Sequence, residues 1–274
     1  MNNNVCVILY AALGNQLFML FTAISKAIDE NKDFTIYPIP NNPFKFYFTS
    51  FLKSMVFKIE DNLNNIQNKP AYEEKEFHYL PIPKDVQIIK GYFQSPKYFN
   101  HNKQKIIDIL HIDYFLNQYQ IGFKSIAIHL RFGDGSYNQS NHCLLKPSYF
   151  INSINKLIDI LPDIYDYNFL IFAESNDDLL VNDYIQEFKD KIPYKFNYQK
   201  FYELKPNLKD YEDLLYMSSC NHFIIANSTF SWFSAYLSKF ENKIVIYPND
   251  WFGPNNIHKS TDDLFFDKWI KVYS

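Results

Sequence analysis

Glycine is scarce in this chain, with six residues in 274. A dinucleotide fingerprint requires three closely spaced glycines, and a phosphate loop requires Gly-Lys-Ser/Thr after a glycine-rich turn. Neither pattern occurs, which disfavours NAD binding and ATP hydrolysis. Cysteine is equally sparse. Cys6, Cys143 and Cys220 have no paired spacing, so neither a disulfide framework nor a zinc site is expected. Cys6 and Cys220 sit in apolar runs and read as core thiols. The expected compartment is reducing and cytoplasmic.

Positive charge is not in excess: 27 basic residues face 30 acidic ones, a formal net charge of -3. No basic field exists to hold nucleic acid. A few placed cations would still suffice for a small anion. No stretch approaches the length of apolar chain that spans a bilayer, and peripheral association with the inner membrane stays open. The start, Met1-Asn2-Asn3-Asn4, has no basic residue, and Gly14-Asn15-Gln16 interrupts the following apolar run, so no secretory leader is expected. There is no Gly-x-Ser-x-Gly elbow and no Cys/His nucleophile pair. No strict Asp-x-Asp follows a strand, which weighs against metal-dependent sugar transfer. No metal is expected.

What is abundant is apolar and aromatic. Hydrophobic residues make up 47% of the chain and aromatics 19%, with 27 Phe and 22 Tyr. The first figure allows a substantial core. The second reads as base-composition bias, so a tyrosine is not a sugar platform on that ground alone. The length suits one large or two small domains.

Val5 to Tyr10 reads as a buried strand. After Gly14, the spacing of Leu17, Leu20, Phe21, Ile24 and Ile28 predicts a helix, the opening of an α/β unit. Phe34 to Ile39 reads as a second strand, stopped by Pro38 and Pro40. Residues 41 to 102 are irregular, with a strand expected at Val86 to Phe93. Ile106 to Tyr119 reads as one helix. A domain boundary is placed near Gly122 to Lys124, giving units 1–122 and 123–274.

The second half alternates clearly. Strands are expected at Ile126 to His129, Asn168 to Ala173, His222 to Ala226 and Lys243 to Pro248. Helices are expected at Tyr149 to Leu161, Leu179 to Phe188 and Tyr211 to Met217, and from Phe230 through Phe240. Such alternation implies an α/β fold with a mainly parallel sheet and ligand sites at the carboxyl ends of its strands.

Three segments end a strand with polar chemistry. In Leu13-Gly14-Asn15-Gln16 a strand turns into a helix whose free N–H groups could meet an anion or a sugar hydroxyl, although Asn15 is also an ordinary N-cap. In His129-Leu130-Arg131-Phe132-Gly133-Asp134, alternation puts His129 and Arg131 on one side and Ile128 and Leu130 on the other. The Arg131 fork can bridge two phosphate oxygens, and Asp134 could orient it. A structural ion pair with a core histidine is the alternative. Asn227-Ser228-Thr229-Phe230 offers hydroxyls and helix N–H groups that would either cap or hold phosphate. Glu174, with Asn176, Asp177 and Asp178, closes another strand and could coordinate a metal, grip ribose hydroxyls and a base, or simply cap a helix. His78, His101, His111 and His258 lack partners at ligand spacing, and His222 reads as core.

Taken in order, these segments resemble glycosyltransferase family 11, the α-1,2-fucosyltransferases. Leu13-Gly14-Asn15-Gln16-Leu17-Phe18 is similar to that family's amino-terminal motif. His129 to Gly135 resembles its His-x-Arg-Arg-Gly-Asp-Tyr motif, and Ile225 to Leu237 its third signature. Phe172-Ala173-Glu174-Ser175 and Tyr247-Pro248-Asn249-Asp250-Trp251-Phe252 correspond to its Phe-Ser-Asp-Asp and Pro-x-x-Trp-Phe segments. The resemblance implies a variant of the glycosyltransferase B fold with two Rossmann-like domains, an acceptor-side 1–122 and a donor-binding 123–274. It implies GDP-fucose as donor, a galactose-ended oligosaccharide as acceptor, an α-1,2 product formed with inversion, and no metal. Arg131 would stabilise the departing GDP and His129 would contact the nucleotide. Ser228, Thr229 and Phe230, beside Asn227, would line the phosphate and base pocket. Asn15 and Gln16, next to Gly14, would face the cleft from the first domain. Asp134 and Glu174 are the candidate bases for the acceptor hydroxyl.

The sequence departs from the family pattern at three places. Phe132 stands where the second arginine is usual, Gly135 replaces the tyrosine, and Glu174-Ser175 replaces the Asp pair. Protein-O-fucosyltransferases resemble this segment in keeping only the first arginine. Two alternatives follow: a transferase of the same fold using another nucleotide sugar, and a carbohydrate-binding protein without catalysis.

Overall fold

The computed structural model describes residues 4–39, 45–60, 62–65, 67–133 and 140–274. The chain forms two compact units, residues 1–117 with 259–266, and residues 118–258 with 267–274.

In the first unit, strand β1 (Asn4–Leu9) leads into helix α1 (Leu13–Asp29) and strand β2 (Asp33–Pro38). After an irregular stretch come β3 (Ala71–Glu73), β4 (Ile88–Lys90), α2 (Lys103–Leu110) and α3 (Ile112–Gln118). The strands form one four-stranded sheet in the order β2-β1-β4-β3, every pairing parallel. Helix α1 is buried on almost every face. That suits its apolar content, but it also buries Lys26, whose Nζ is met by the Glu30 carboxylate and, at 2.8 Å, by the Pro83 carbonyl. A buried ammonium without such partners would cost several kcal/mol, roughly the penalty for an unpaired charge.

The single helix expected over 106–119 is two helices. His111 adopts a left-handed conformation at φ 54°, and its N–H closes the end of α2 on the Asp108 carbonyl. The apolar periodicity runs through this break, because both helices bury the same kind of face.

The second unit is built from β5 (Ser125–His129), α4 (Pro147–Ile160), β6 (Asn168–Phe172), α5 (Asp178–Lys191), β7 (Tyr198–Lys200), α6 (Phe201–Leu204), α7 (Asp210–Ser218), β8 (His222–Ile224), α8 (Thr229–Leu237), β9 (Val245–Pro248) and β10 (Ile270–Val272). The sheet order is β10-β9-β8-β5-β6-β7, again parallel throughout. The order reverses between β5 and β8, the place where doubly wound sheets open a crevice at their carboxyl ends. Helix α8 stops at Leu237, short of Phe240, with Ser238 leaving the helix at ψ 132°. Each sheet with its flanking helices is a Rossmann-like unit, and the fold class is glycosyltransferase B-like.

Alternation along β5 separates packing from chemistry. Ile126, Ile128 and Leu130 join a core with Phe150, Ile154, Leu157, Tyr184 and Phe188 from α4 and α5, and Phe132 packs against the same cluster. His129 and Arg131 lie on the other parity, away from that core. The Leu130 N–H bonds the Phe172 carbonyl at 2.9 Å, so the ladder continues past the end of the regular strand and holds Arg131 at the sheet edge.

Candidate active site

Three adjacent strand ends meet at the carboxyl edge of the second sheet. They are β8 running into Asn227, β5 running into Arg131, and β6 running into Glu174. The Arg131 Nη1 donates to the Asn227 main-chain carbonyl at 3.3 Å, which ties two of these ends together. Asn227 is itself anchored: its Nδ2 donates to the carbonyls of Cys143 at 2.8 Å and Trp251 at 3.2 Å. From α4, the buried Tyr149 hydroxyl donates to the Ile225 carbonyl at 2.7 Å, fixing the strand just before the turn. Such a frame fixes the functional groups before a ligand arrives.

Arg131 is the only arginine among the chain's 27 basic residues. Lysine serves everywhere else. A lysine can supply charge, but not the planar fork that matches two oxygens at once.

Two buried polar atoms at this edge have no hydrogen-bond partner among the described residues: Nδ1 of His129 and Oδ1 of Asn227. Orphaned buried groups are rare in native proteins and call for an explanation. Burial first, and then the neighbouring Arg131 guanidinium, push the His129 imidazolium down to about 3. The ring is therefore neutral at working pH. It lies 5.6 Å from the ring of Phe230, tilted by 37°.

Ser228 caps α8. Its backbone is extended and its Oγ accepts the Phe230 N–H at 3.3 Å. Thr229 opens the helix, whose first turn points amide N–H groups and the positive end of the helix dipole toward the strand ends. Arg131, His129, Asn227, Ser228, Thr229 and Phe230 thus lie along one edge of the sheet.

Glu174 lies exposed at the end of β6. It influences a residue that the sequence reading passed over, Asp213 in the first turn of α7. Burial, then the charges of Glu174, Asp210 and Glu212, push the Asp213 carboxyl up to about 7. Helix α7 precedes β8 and runs back between parallel strands, so its first turn lies at the carboxyl edge of the sheet. The signal for it was the acidic Asp210-Tyr211-Glu212-Asp213 run just before a strand that feeds a polar turn.

Asp134, the acid expected beside Arg131, lies outside the described residues. Gly14, Asn15 and Gln16 belong to the first unit. Gly14 lies in the first turn of α1 and is buried. Gln16 is fully buried, and its Nε2 donates to the Ala11 carbonyl at 2.7 Å, which supports the left-handed turn at Ala11 (φ 62°). Asn15 does not cap α1, because Ala12 occupies the N-cap position. Its Oδ1 instead accepts from Gln94 Nε2 at 2.7 Å. Among the described residues no group of three or more His, Cys, Asp or Glu is placed to hold a metal ion. None of the described helices is long and apolar enough to cross a membrane.

Comparison with known proteins fits this geometry. The model of glycosyl transferase family 11 matches residues 56–273. The chain belongs to glycosyl transferase family 11. The members of that family are described as glycosyl transferases. This family 11 transferase is similar to an alpha-1,2-colitosyltransferase of Escherichia coli, 28% identical over 66% of this chain and 61% of that protein, so the match spans less than two thirds of that relative. It is also similar to the O-antigen biosynthesis glycosyltransferase WbnK of Escherichia coli, 27% identical over 81% of this chain and 72% of the other. The crystal structure of fucosyltransferase NodZ from Bradyrhizobium shares the fold, with a TM-score of 0.50, 11% identity, and coverage of 86% of this chain and 94% of that one.

Proposed function

We propose that this transferase moves L-fucose from GDP-fucose to a hydroxyl of a galactose-ended oligosaccharide, forming an α-1,2 linkage with inversion. The observation that carries this reading is the chain's single arginine at the switch point of the second sheet, tied to Asn227 and facing a helix amino terminus.

The acceptor oxygen attacks the anomeric carbon from the face opposite the diphosphate. The anomeric C–O bond to the β-phosphate breaks and its electron pair leaves with GDP. Charge develops on the leaving phosphate, where the Arg131 fork and the first-turn amides of α8 stabilise it. A residue positioned in this way is worth about 10²-fold or more in rate. The acceptor proton passes to a carboxylate, for which Asp134 and Glu174 are the candidates. The neutral His129 and the Asn227 amide oxygen pair with nucleotide groups that satisfy them. Asp213 accepts from the N–H edge of the base or from ribose hydroxyls, as Glu174 does where Asp134 takes the acceptor proton, and Phe230 lies against the base.

A second donor is favoured by one observation. The name of one relative specifies colitosyl rather than fucosyl transfer. Purified protein should be incubated with GDP-fucose and a galactoside, and the product linkage read by NMR. Thermal shifts with a panel of nucleotide sugars separate the donors, since each stabilises the fold by mass action. Phenylglyoxal reports directly on the site, because one arginine gives one modification. GDP should protect that residue and preserve activity. Labelling that GDP leaves unchanged sinks the proposed role of Arg131.

A further inference from the structure

We propose that the carboxyl edge of the first sheet carries a neutral-sugar subsite, a shelf formed by Tyr92 and Tyr10 with the amides of Asn15 and Gln94, and that it holds the acceptor pyranose. The inference rests on the transferase reading and adds the acceptor's position and chemistry to it.

The order of the first sheet reverses between β1 and β4. That is where a parallel sheet opens toward a ligand. Tyr10 directly follows β1, and Tyr92 stands two residues past β4. Their rings meet edge to face at 5.1 Å. Tyr92 remains 40% exposed while the next residue, Phe93, is completely buried. An exposed ring on a loop commonly signals nothing. This ring is held in place.

Glu74, next to the end of β3, uses its carboxylate to accept the Tyr92 N–H at 2.7 Å and the Phe93 N–H at 3.0 Å. Its own N–H bonds the Lys90 carbonyl at 2.8 Å. Gly91 makes the approach feasible, since a Cβ there would stand 2.4 Å from the Cβ of Glu74. Phe93 then anchors the loop between Tyr72 and Tyr98. A half-buried carboxylate holding two backbone amides fixes the presentation of one exposed tyrosine ring and of the Gln94 that follows.

The polar groups beside the rings suit hydroxyls. Gln94 donates to Asn15 at 2.7 Å. The Asn15 amide hydrogens and the Gln94 carbonyl oxygen keep their capacity for a ligand, one side donating and the other accepting. Burial, then Tyr92, Glu74 and Glu73, hold the Tyr10 phenol far above its ordinary value, so it remains a neutral hydroxyl. Lys90, at the end of β4, is paired with Glu73 at 2.8 Å. Flat aromatic surface, a donor and an acceptor fit a pyranose, which has a C–H face rimmed by hydroxyls.

The test uses the full-length protein, with methyl β-D-galactopyranoside as acceptor at saturating GDP-fucose. Tyr92→Ala and Gln94→Ala should each raise the acceptor KM about tenfold or more. Tyr92→Phe should stay near wild type, because the ring is kept. The GDP Kd by calorimetry should be the same in all four proteins. An acceptor KM for Tyr92→Ala within about twofold of wild type overturns the shelf. If wild type transfers nothing from GDP-fucose, the functional reading fails, and the shelf is then judged alone by saturation-transfer NMR with a panel of methyl pyranosides. Loss of a wild-type sugar signal in Tyr92→Ala supports it. A signal retained in the variant, or no sugar bound by wild type, overturns it.

Discussion

The ring of Phe132 meets the ring of Tyr184 edge to face at 5.0 Å, inside the apolar cluster between β5 and α5. Phe132 occupies the position where the family pattern carries a second arginine. In this chain the position has the parity of Ile128 and Leu130, opposite to that of Arg131. It is a packing position, and the fixed charge of the site is one guanidinium.

Phe132→Ala should cost about 1–3 kcal/mol of stability by urea unfolding, through the loss of a partly buried ring. Phe132→Arg should cost a similar amount and leave kcat no higher than wild type. A clear rise in kcat for Phe132→Arg would show that this side chain reaches the diphosphate.

Arg131→Ala should lower kcat about 10²-fold or more with little change in melting temperature. Arg131→Lys is the more informative variant. It keeps the charge and loses the fork, so it should recover GDP binding better than turnover. Equal kcat in Arg131→Ala and wild type would remove the residue from the mechanism.

Donor binding should depend on pH through Asp213. Its carboxyl, pushed up to about 7, becomes an acceptor-only carboxylate, and the stronger acceptor, once it has lost its proton. The GDP Kd should therefore tighten between about pH 6 and about pH 8. Asp213→Asn should abolish that trend. A Kd flat with pH in wild type would separate Asp213 from the nucleotide.

Folding stability should also follow pH, with opposing contributions. His222 is buried, its Nδ1 accepting the Ile244 N–H at 3.0 Å, and burial pushes its imidazolium down to about 4. The unfolded ring takes a proton below about 6.5 that the folded ring refuses until about 4, so stability falls on acidification through that window. His129 acts in the same sense down to about 3. Asp213 acts in the opposite sense, because the folded carboxyl keeps a proton up to about 7 that the unfolded one releases above 3.8. Each group contributes a slope of up to about 1.4 kcal/mol per pH unit. Urea titrations between about pH 4.5 and about pH 6.5 should show a shallower rise in His222→Asn and a steeper one in Asp213→Asn.

The sequence announced its second half better than its first. Strands such as Ile126 to His129 are continuous apolar runs, as expected when both faces of a parallel sheet are covered. The parity of His129 and Arg131 followed from alternation alone. The short edge strands Ala71–Glu73, Tyr198–Lys200 and Ile270–Val272 left no such trace, because three residues are too few to show a period. The break at His111 was hidden because apolar spacing does not report φ. Asp213 was missed for a different reason. Its elevated pKa comes first from burial, which the acidic run does not announce, and then from Glu174, a neighbour distant in sequence, with Asp210 and Glu212. The capping alternative for Asn15 does not hold, and its actual partner, Gln94, lies 79 residues away, beyond the reach of a local motif.

Residues 259–266 belong to the first unit although the chain on either side belongs to the second. Within this segment Asp263 accepts the Tyr79 N–H at 2.8 Å and pairs with Lys97, and its carbonyl takes the Ser95 hydroxyl at 3.0 Å. The first unit is thus completed by a stretch that is translated more than a hundred residues after the rest of it. A ribosome that has made the amino-terminal portion still holds an unfinished fold. A hybrid enzyme spliced at residue 122 would carry the wrong closing segment for one of its halves. Recombination between members of this family would have to exchange two non-adjacent pieces together to swap the first unit and leave the second unchanged.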